Sequence, residues 1–354
     1  MHRLIVLLLL IQCSFSLKFL IYNPIIARSH LNFMSKIADS LVDAGHNVTL
    51  FSPIIDSQWL PTFKTKGNIM WGPQGAEALE YEKMTRDEIF SNAWSSSNVL
   101  VQSRTIRKIL EVMRIQCNDT LRNDELMDLL RREKFDAAMS EPMDHCGVAI
   151  FRAIGIKSTA CTLSTSAFEG SFFLTGLPSF PSYVPGPLGG SDKMSFLERT
   201  KNTAVLLVQY LAWPFFFNPW DTMIRHAKGE DFPSVVKLWQ DASLWFLNGE
   251  PLMDFPRPTI HKMIEIGGIA VSAEHKPLNE TWSEILNRRE KNVLLSFGTV
   301  ALSHLMPDEY KETIRMLDHY GLQLNFFQYY LIDVFAFLAT IVTVLFLTMH
   351  QEED

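Results

Sequence analysis

The chain has 354 residues, of which 47% are apolar and 20% charged, and its formal net charge is −7. That balance gives an ordinary water-facing surface around a sizeable core and contains no basic stripe of the kind that tracks phosphates, so nucleic acid is excluded as a partner. The cysteines are too few for a disulfide framework and none has metal-ligand spacing, so free buried thiols are the preferred state of Cys117, Cys146 and Cys161, with pairing of two of them in an oxidising compartment as the alternative.

Met1-His2-Arg3 followed by the apolar run Leu4 to Ile11, with the small residues Ser14 and Ser16 after it, has the pattern of a secretory signal cleaved after Ser16. Lys18 to Asn23 then reads as a buried strand. The loop Pro24 to Ser29 leads into a helix whose apolar positions Leu31, Met34, Ile37, Ala38 and Leu41 recur at helical spacing and which Gly45 ends. Asn47 to Ser52 is the next strand. A strand, helix and strand this closely spaced predict a right-handed parallel crossover, and so a parallel α/β sheet.

Gln58 to Asn98 reads as polar and irregular, and helical patterns follow over Val99 to Cys117 and Thr120 to Lys134. The strand-helix-strand rhythm returns with Phe135 to Ser140, Cys146 to Ile154 stopped at Gly155, and Ile156 to Thr162. Leu174 to Gly190 is a Pro- and Gly-rich loop. Leu206 to Phe217, inside the aromatic stretch from Phe196 to Asn218, could rest on a membrane or cover an apolar ligand pocket; Pro214 and flanking charges argue against a full span, and core or pocket wall is the preferred reading. Residues 235–256 supply a helix and a short strand, Ser272 to Lys291 a polar linker, and Val293 to Thr299 a strand and glycine-containing turn that would open a nucleotide-binding half-domain.

Leu331 to Met349 is apolar except for Asp333 near one edge and reads as a single membrane anchor. With the signal before it, the anchor places residues 17 to about 325 in the lumen and the acidic tail His350 to Asp354 in the cytosol, a type I single-pass arrangement. The acidic tail gives no positive-inside support, so orientation rests on the signal. Asn47, Asn118 and Asn279 stand in Asn-x-Ser/Thr triplets that agree with glycosylation in that compartment.

His30 lies where the first strand's loop meets the first helix, at the carboxyl end of a parallel strand, where ligands collect in open α/β sheets. Near the positive end of a helix dipole its imidazole is expected to be neutral at pH 7 and able to take a proton from a substrate hydroxyl; a packed or capping histidine is the competing reading. Glu141 ends the strand Phe135 to Ser140 and Asp144 lies three residues on. Either carboxylate can orient an imidazolium on His30, and either can instead cap the helix beginning near Cys146; Glu141 is preferred because it follows the strand directly.

Lys18-Phe-Leu-Ile-Tyr22 with Ser29-His30, then Ala44-Gly45-His46-Asn47-Val48-Thr49, Phe135-Asp136 with Glu141-Pro142, Ser296-Phe297-Gly298-Thr299, and Asp333 to Leu338 together resemble the UDP-glycosyltransferases of the glucuronosyltransferase type, over nearly the whole chain. The resemblance implies a GT-B type architecture, in which a front Rossmann-like domain holds a small lipophilic acceptor and a rear one a UDP-sugar. It implies His30 as base with Glu141 as its partner, where vertebrate members usually carry aspartate. Ser296, Gly298 and Thr299 would lie against the diphosphate of UDP-glucuronate or UDP-glucose, used as co-substrate, and no metal or other cofactor is implied.

The organisation this implies is a signal over 1–16, an acceptor-side luminal domain over 17–290, a remnant of the donor domain over 291–324, an anchor over 325–349 and a tail over 350–354. The family's long donor-binding signature has no counterpart after Tyr310. Two functions are therefore weighed: an inverting glycosyl transfer in the endoplasmic reticulum, and a non-catalytic form that dimerises with complete transferases and regulates them. A single-pass receptor or adhesion glycoprotein is the remaining reading and leaves His30 without a purpose.

Overall fold

A computed structural model describes residues 16–84, 94, 99–186, 190–271, 277–290, 292, 294–296, 298 and 301–314, without side chains over 99–106. The expected signal, anchor and tail lie outside the described residues, Ser16 excepted. Among the described residues no helix is long and apolar enough to cross a membrane.

The core is a seven-stranded sheet made of β1 (Lys18–Tyr22), β2 (Asn47–Pro53), β3 (Asn68–Gly72), β4 (Ala137–Ser140), β5 (Ser158–Leu163), β6 (Leu244–Leu247) and β7 (Met263–Glu265), in the order β3-β2-β1-β4-β5-β6-β7. Every neighbouring pair is parallel. β1 lies third in that order, with Leu20 opposite Thr49 on one side and Ala138 on the other. Its run Phe19-Leu20-Ile21-Tyr22 is buried without alternation, because helices cover both faces of a parallel sheet. The chain builds outward from β1 to β3, then returns to start β4 on β1's other edge. The crevice between β1 and β4 is thus the topological switch point, where open α/β sheets bind ligands.

α1 (Arg28–Asp43) buries Leu31, Phe33, Met34, Ile37 and Ala38 against the sheet. α2 (Ala76–Lys83) follows β3. α3 (Val99–Arg122) and α4 (Asp124–Arg132) are separated by Asn123, whose side chain accepts from Leu126 N at 3.0 Å and caps α4. α5 (Cys146–Ile154) ends where Gly155, at φ +90°, turns left-handed. Cys146 is bonded to Cys117 of α3, so the expectation of free thiols is corrected: the two positions are brought within 5.4 Å Cα to Cα, inside disulfide range. Cys161 in β5 is a buried free thiol.

α6 (Glu169–Thr175) precedes α7 (Phe196–Lys228), a single long helix despite Pro214 and Pro219. A capping box between Ser195 and Glu198 starts it. Leu206 to Phe217 meets the expectation of core or pocket wall only in part: Phe217 is in the core and Trp213 stacks on Phe173, but one face of the stretch is uncovered. Phe217, Trp220, Met223 and Ile224 are buried, whereas Leu207, Val208, Leu211 and Phe215 face outward, with Phe215 80% exposed. α8 (Val235–Gln240) leads to β6.

Three further expectations are revised. The irregular region after Gln58 contains the edge strand β3, and β7 adds a strand at the other edge. The polar stretch from Ser272 contains α9 (Glu280–Asn287), capped by Asn279. Residues 294–296 and 298 form no strand, and Val293, Phe297 and Thr299 lie outside the described residues.

Described residues of 1–85 and 103–292 form one compact unit and those of 86–102 and 293–354 a second. In the second, the Trp94 indole donates to Leu302 O at 2.8 Å and its ring lies 6.2 Å from that of Tyr310.

Candidate functional site

The turn after β1 delivers His30 in the first turn of α1, and β4 delivers Glu141 immediately beyond its last residue. The two side chains meet across the switch point, with His30 Nδ1 2.5 Å from Glu141 Oε2. Their exposures are 24% and 12%, so one edge of the imidazole remains reachable. The other carboxylate oxygen, Oε1, accepts the Ser164 N–H at 2.8 Å, and Ser164 Oγ lies 3.1 Å from His30 Nδ1. Ser164 follows β5 directly. Three successive strand ends thus contribute to one cluster.

The electrostatics of the cluster follow from that contact. Burial alone would lower the His30 pKa, but the hydrogen bond to Glu141 and its charge outweigh burial and raise it. The Glu141 contact thus acts against the helix dipole, which by itself favours the neutral ring. Burial would raise Glu141, yet its bond to His30, the imidazolium charge and the bonds from Ser164 bring it below the usual carboxylate value. A carboxylate this close to Nδ1 requires the proton on Nδ1. The neutral imidazole therefore presents Nε2 as its free lone pair, which is what a general base needs.

Asp144 does not pair with His30. Tyr22 donates its hydroxyl to Asp144 Oδ2 at 2.9 Å and Cys146 N donates to Oδ1 at 2.9 Å, so the carboxyl holds the start of α5, as the capping reading had it. His145 is no alternative base. It is packed among Phe217, Trp220 and Trp239, accepts the Trp239 indole N–H at Nδ1 at 3.1 Å, and burial pushes its pKa down to about 3.

Ser296 and Gly298 are both exposed and belong to the second unit, Gly298 at φ +69° with its N–H 3.5 Å from Ser296 Oγ. Thr299 lies outside the described residues. Of the three sequons, Asn47 is exposed at the start of β2, but Thr49 is buried in the strand. Asn118 is half-buried in α3, accepting from Arg122 Nε at 3.0 Å, with Thr120 buried. Asn279 stands exposed at the start of α9.

The family described as UDP-glucoronosyl and UDP-glucosyl transferase matches residues 20–321. The chain belongs to the UDP-glycosyltransferase family. A protein of Caenorhabditis elegans named as a UDP-glucuronosyltransferase, ugt-48, is 26% identical over 88% of this chain and 60% of its own length. The mouse 2-hydroxyacylsphingosine 1-beta-galactosyltransferase is 27% identical over 79% of this chain and 50% of its own. The chain thus spans about half to three-fifths of the length of the curated relatives it matches. Among solved structures, TcCGT1 in complex with UDP is similar over 77% of this chain and 55% of its own, at 10% identity and a TM-score of 0.40.

Two functional candidates were missed in the sequence: Ser164, which touches both His30 and Glu141, and Asn248, which fixes it by donating its side-chain amide to Ser164 O at 2.9 Å. The signal that finds them is the one that singled out His30 and Glu141. Each is the first polar residue past the carboxyl end of a parallel strand, β5 and β6.

Proposed function

We propose that this UDP-glycosyltransferase chain carries the acceptor side of an inverting sugar transfer, with His30 as general base. The observation that carries the reading is the His30–Glu141 contact at the switch point. His30 Nε2 takes the proton from the hydroxyl of a small lipophilic acceptor. The hydroxyl oxygen then uses its electron pair to bond the anomeric carbon of a UDP-sugar, glucuronate or glucose, from the face opposite the nucleotide. The carbon–oxygen bond to UDP breaks and UDP leaves with that pair, which inverts the centre. Glu141 stays ionised and stabilises the imidazolium until the proton passes to solvent. Ser296, Gly298 and Thr299 belong to the diphosphate side in this reading, and the compartment is the lumen of the endoplasmic reticulum, with a single anchor over 325–349 and sequons at Asn47, Asn118 and Asn279.

The test is binding of labelled UDP-glucuronate and UDP-glucose, and transfer to a panel of phenols, by the full chain expressed alone and together with a complete family member. Transfer by the chain alone is expected to be weak, and it should fall roughly 10²- to 10⁴-fold in His30→Ala, since that is what a general base contributes. Transfer that is indifferent to His30→Ala rules the base out. Absence of transfer alone combined with changed turnover in the complete partner replaces the enzyme reading with that of a regulatory subunit that dimerises with it.

A further inference from the structure

The dyad reading leaves a question of geometry. The Glu141 side chain has three rotatable bonds by which to leave the imidazole. Something has to hold it. Ser164 is the residue that contacts both partners: its N–H binds Glu141 Oε1 at 2.8 Å while its hydroxyl oxygen stands 3.1 Å from His30 Nδ1.

Ser164 is itself fixed. Asn248, just past β6, donates its side-chain amide to Ser164 O at 2.9 Å and its backbone N–H to Leu163 O at 2.9 Å and Thr165 O at 3.2 Å. The chain of contacts therefore runs across four adjacent strand ends, from His30 after β1 through Glu141 after β4 and Ser164 after β5 to Asn248 after β6.

We propose that Ser164 is a positioning residue of the dyad, holding the Glu141 carboxylate with its backbone and the plane of the His30 imidazole with its hydroxyl oxygen. The inference rests on the reading of His30 as the base. Because Nδ1 carries the proton it shares with Glu141, the Ser164 oxygen can only accept there. A second acceptor on one N–H restricts rotation of the ring and favours the imidazolium over the neutral ring, since the charged ring is the stronger donor. The backbone contact takes up the rotational freedom of the Glu141 side chain.

The test reads His30 directly and needs no turnover. Deuterium exchange at the imidazole carbon between the ring nitrogens, followed by mass spectrometry of the peptide that contains His30, gives its titration midpoint in the full chain. Ser164→Ala is expected to lower that midpoint and Ser164→Thr, which keeps the hydroxyl, to restore it. In a preparation that transfers sugar, Ser164→Ala should lower kcat about five-fold with acceptor KM unchanged, the rate equivalent of one ordinary hydrogen bond. Should Ser164→Ala not fold, Ser164→Cys, near-isosteric with a weak acceptor, is expected to shift the midpoint the same way. A midpoint unmoved in the serine variants but lowered in Glu141→Gln overturns the role of Ser164 and leaves the dyad standing. A midpoint unmoved in Glu141→Gln as well removes the dyad reading, and this proposal with it.

Discussion

Tyr22 donates its hydroxyl to Asp144 at 2.9 Å, tying the last residue of β1 to the turn after β4 across 122 residues of chain. The bond spans the same switch point as the His30–Glu141 contact, and both groups are almost wholly buried. Burial raises Tyr22 well above its ordinary pKa, helped by the Asp144 charge. It raises Asp144 from 3.8 to about 6, although the bonds from Cys146 N and Tyr22 act against the rise.

The first prediction follows from Asp144. Its folded pKa lies above its unfolded one, so its stabilising contribution is fully present below 3.8 and is lost as pH rises through about 6. The size of that loss is about 3 kcal/mol. Asp144→Asn cannot ionise, so its stability relative to the unsubstituted chain should improve as the pH is raised from about 4 to about 7. Urea midpoints across that range measure the difference, and a difference independent of pH would contradict the assignment.

The dyad predicts a different profile. His30 is raised, so its share of the stabilisation is complete below its unfolded value of 6.5 and is lost as pH rises through the higher folded value. Glu141 is lowered, so its share is complete above 4.5 and is lost as pH falls through the lower folded value. A double-mutant cycle with His30→Gln and Glu141→Gln should therefore show its largest coupling between pH 4.5 and 6.5, roughly 1–3 kcal/mol, fading on both sides. A coupling that continues to grow above that window would mean that His30 is not the partner being titrated.

The Cys117–Cys146 bond closes a loop across 29 positions of sequence between α3 and the start of α5. Chain-entropy arguments assign such a loop about 3–4 kcal/mol. Replacing both cysteines by serine should cost approximately that amount, and dithiothreitol should lower the melting temperature of the unsubstituted chain but not that of the double variant. Equal sensitivity of both proteins to the reductant would show that the bond does not form.

The parallel sheet was legible because β1 is an unbroken apolar run after Lys18, and β1 and β4 are each followed by a helix with a clear stop, such as Gly155. The edges were not. Asn68–Gly72 is mostly exposed and reads as loop, and Met263–Glu265 is too short to show a period. α7 misled for a related reason: hydrophobicity reports preference for burial, not the presence of a covering surface, and the outward face of Leu207, Val208, Leu211 and Phe215 has the composition of a core. In the site, His30 and Glu141 were identifiable from their places at strand ends. Ser164 stands at an equivalent strand end, but its part does not show there, because it depends on a backbone N–H, which every non-proline residue has, and on the register of β5 with β4, which appears only once the sheet is assembled.

Gly147 joins the fold to the site and supports the last prediction. It lies in the first turn of α5, where a Cβ would run into Ser140 Oγ and Cβ and the Tyr22 Cβ. Two of these atoms are bonded directly to strand backbone and cannot rotate away, so Gly147→Ala has to push α5 off β1 and β4. The cost expected of overpacking is about 1–3 kcal/mol, and the displacement should reach Asp144 and Glu141, which precede α5 in the same turn. Gly155→Ala is the contrast. It meets open space but sits at φ +90°, so its cost of about 1 kcal/mol is backbone strain at the far end of the helix. Thermal unfolding should show both losses, but only Gly147→Ala should also move the His30 titration midpoint. If the two variants leave that midpoint equally unchanged, the packing of α5 does not set the geometry of the dyad.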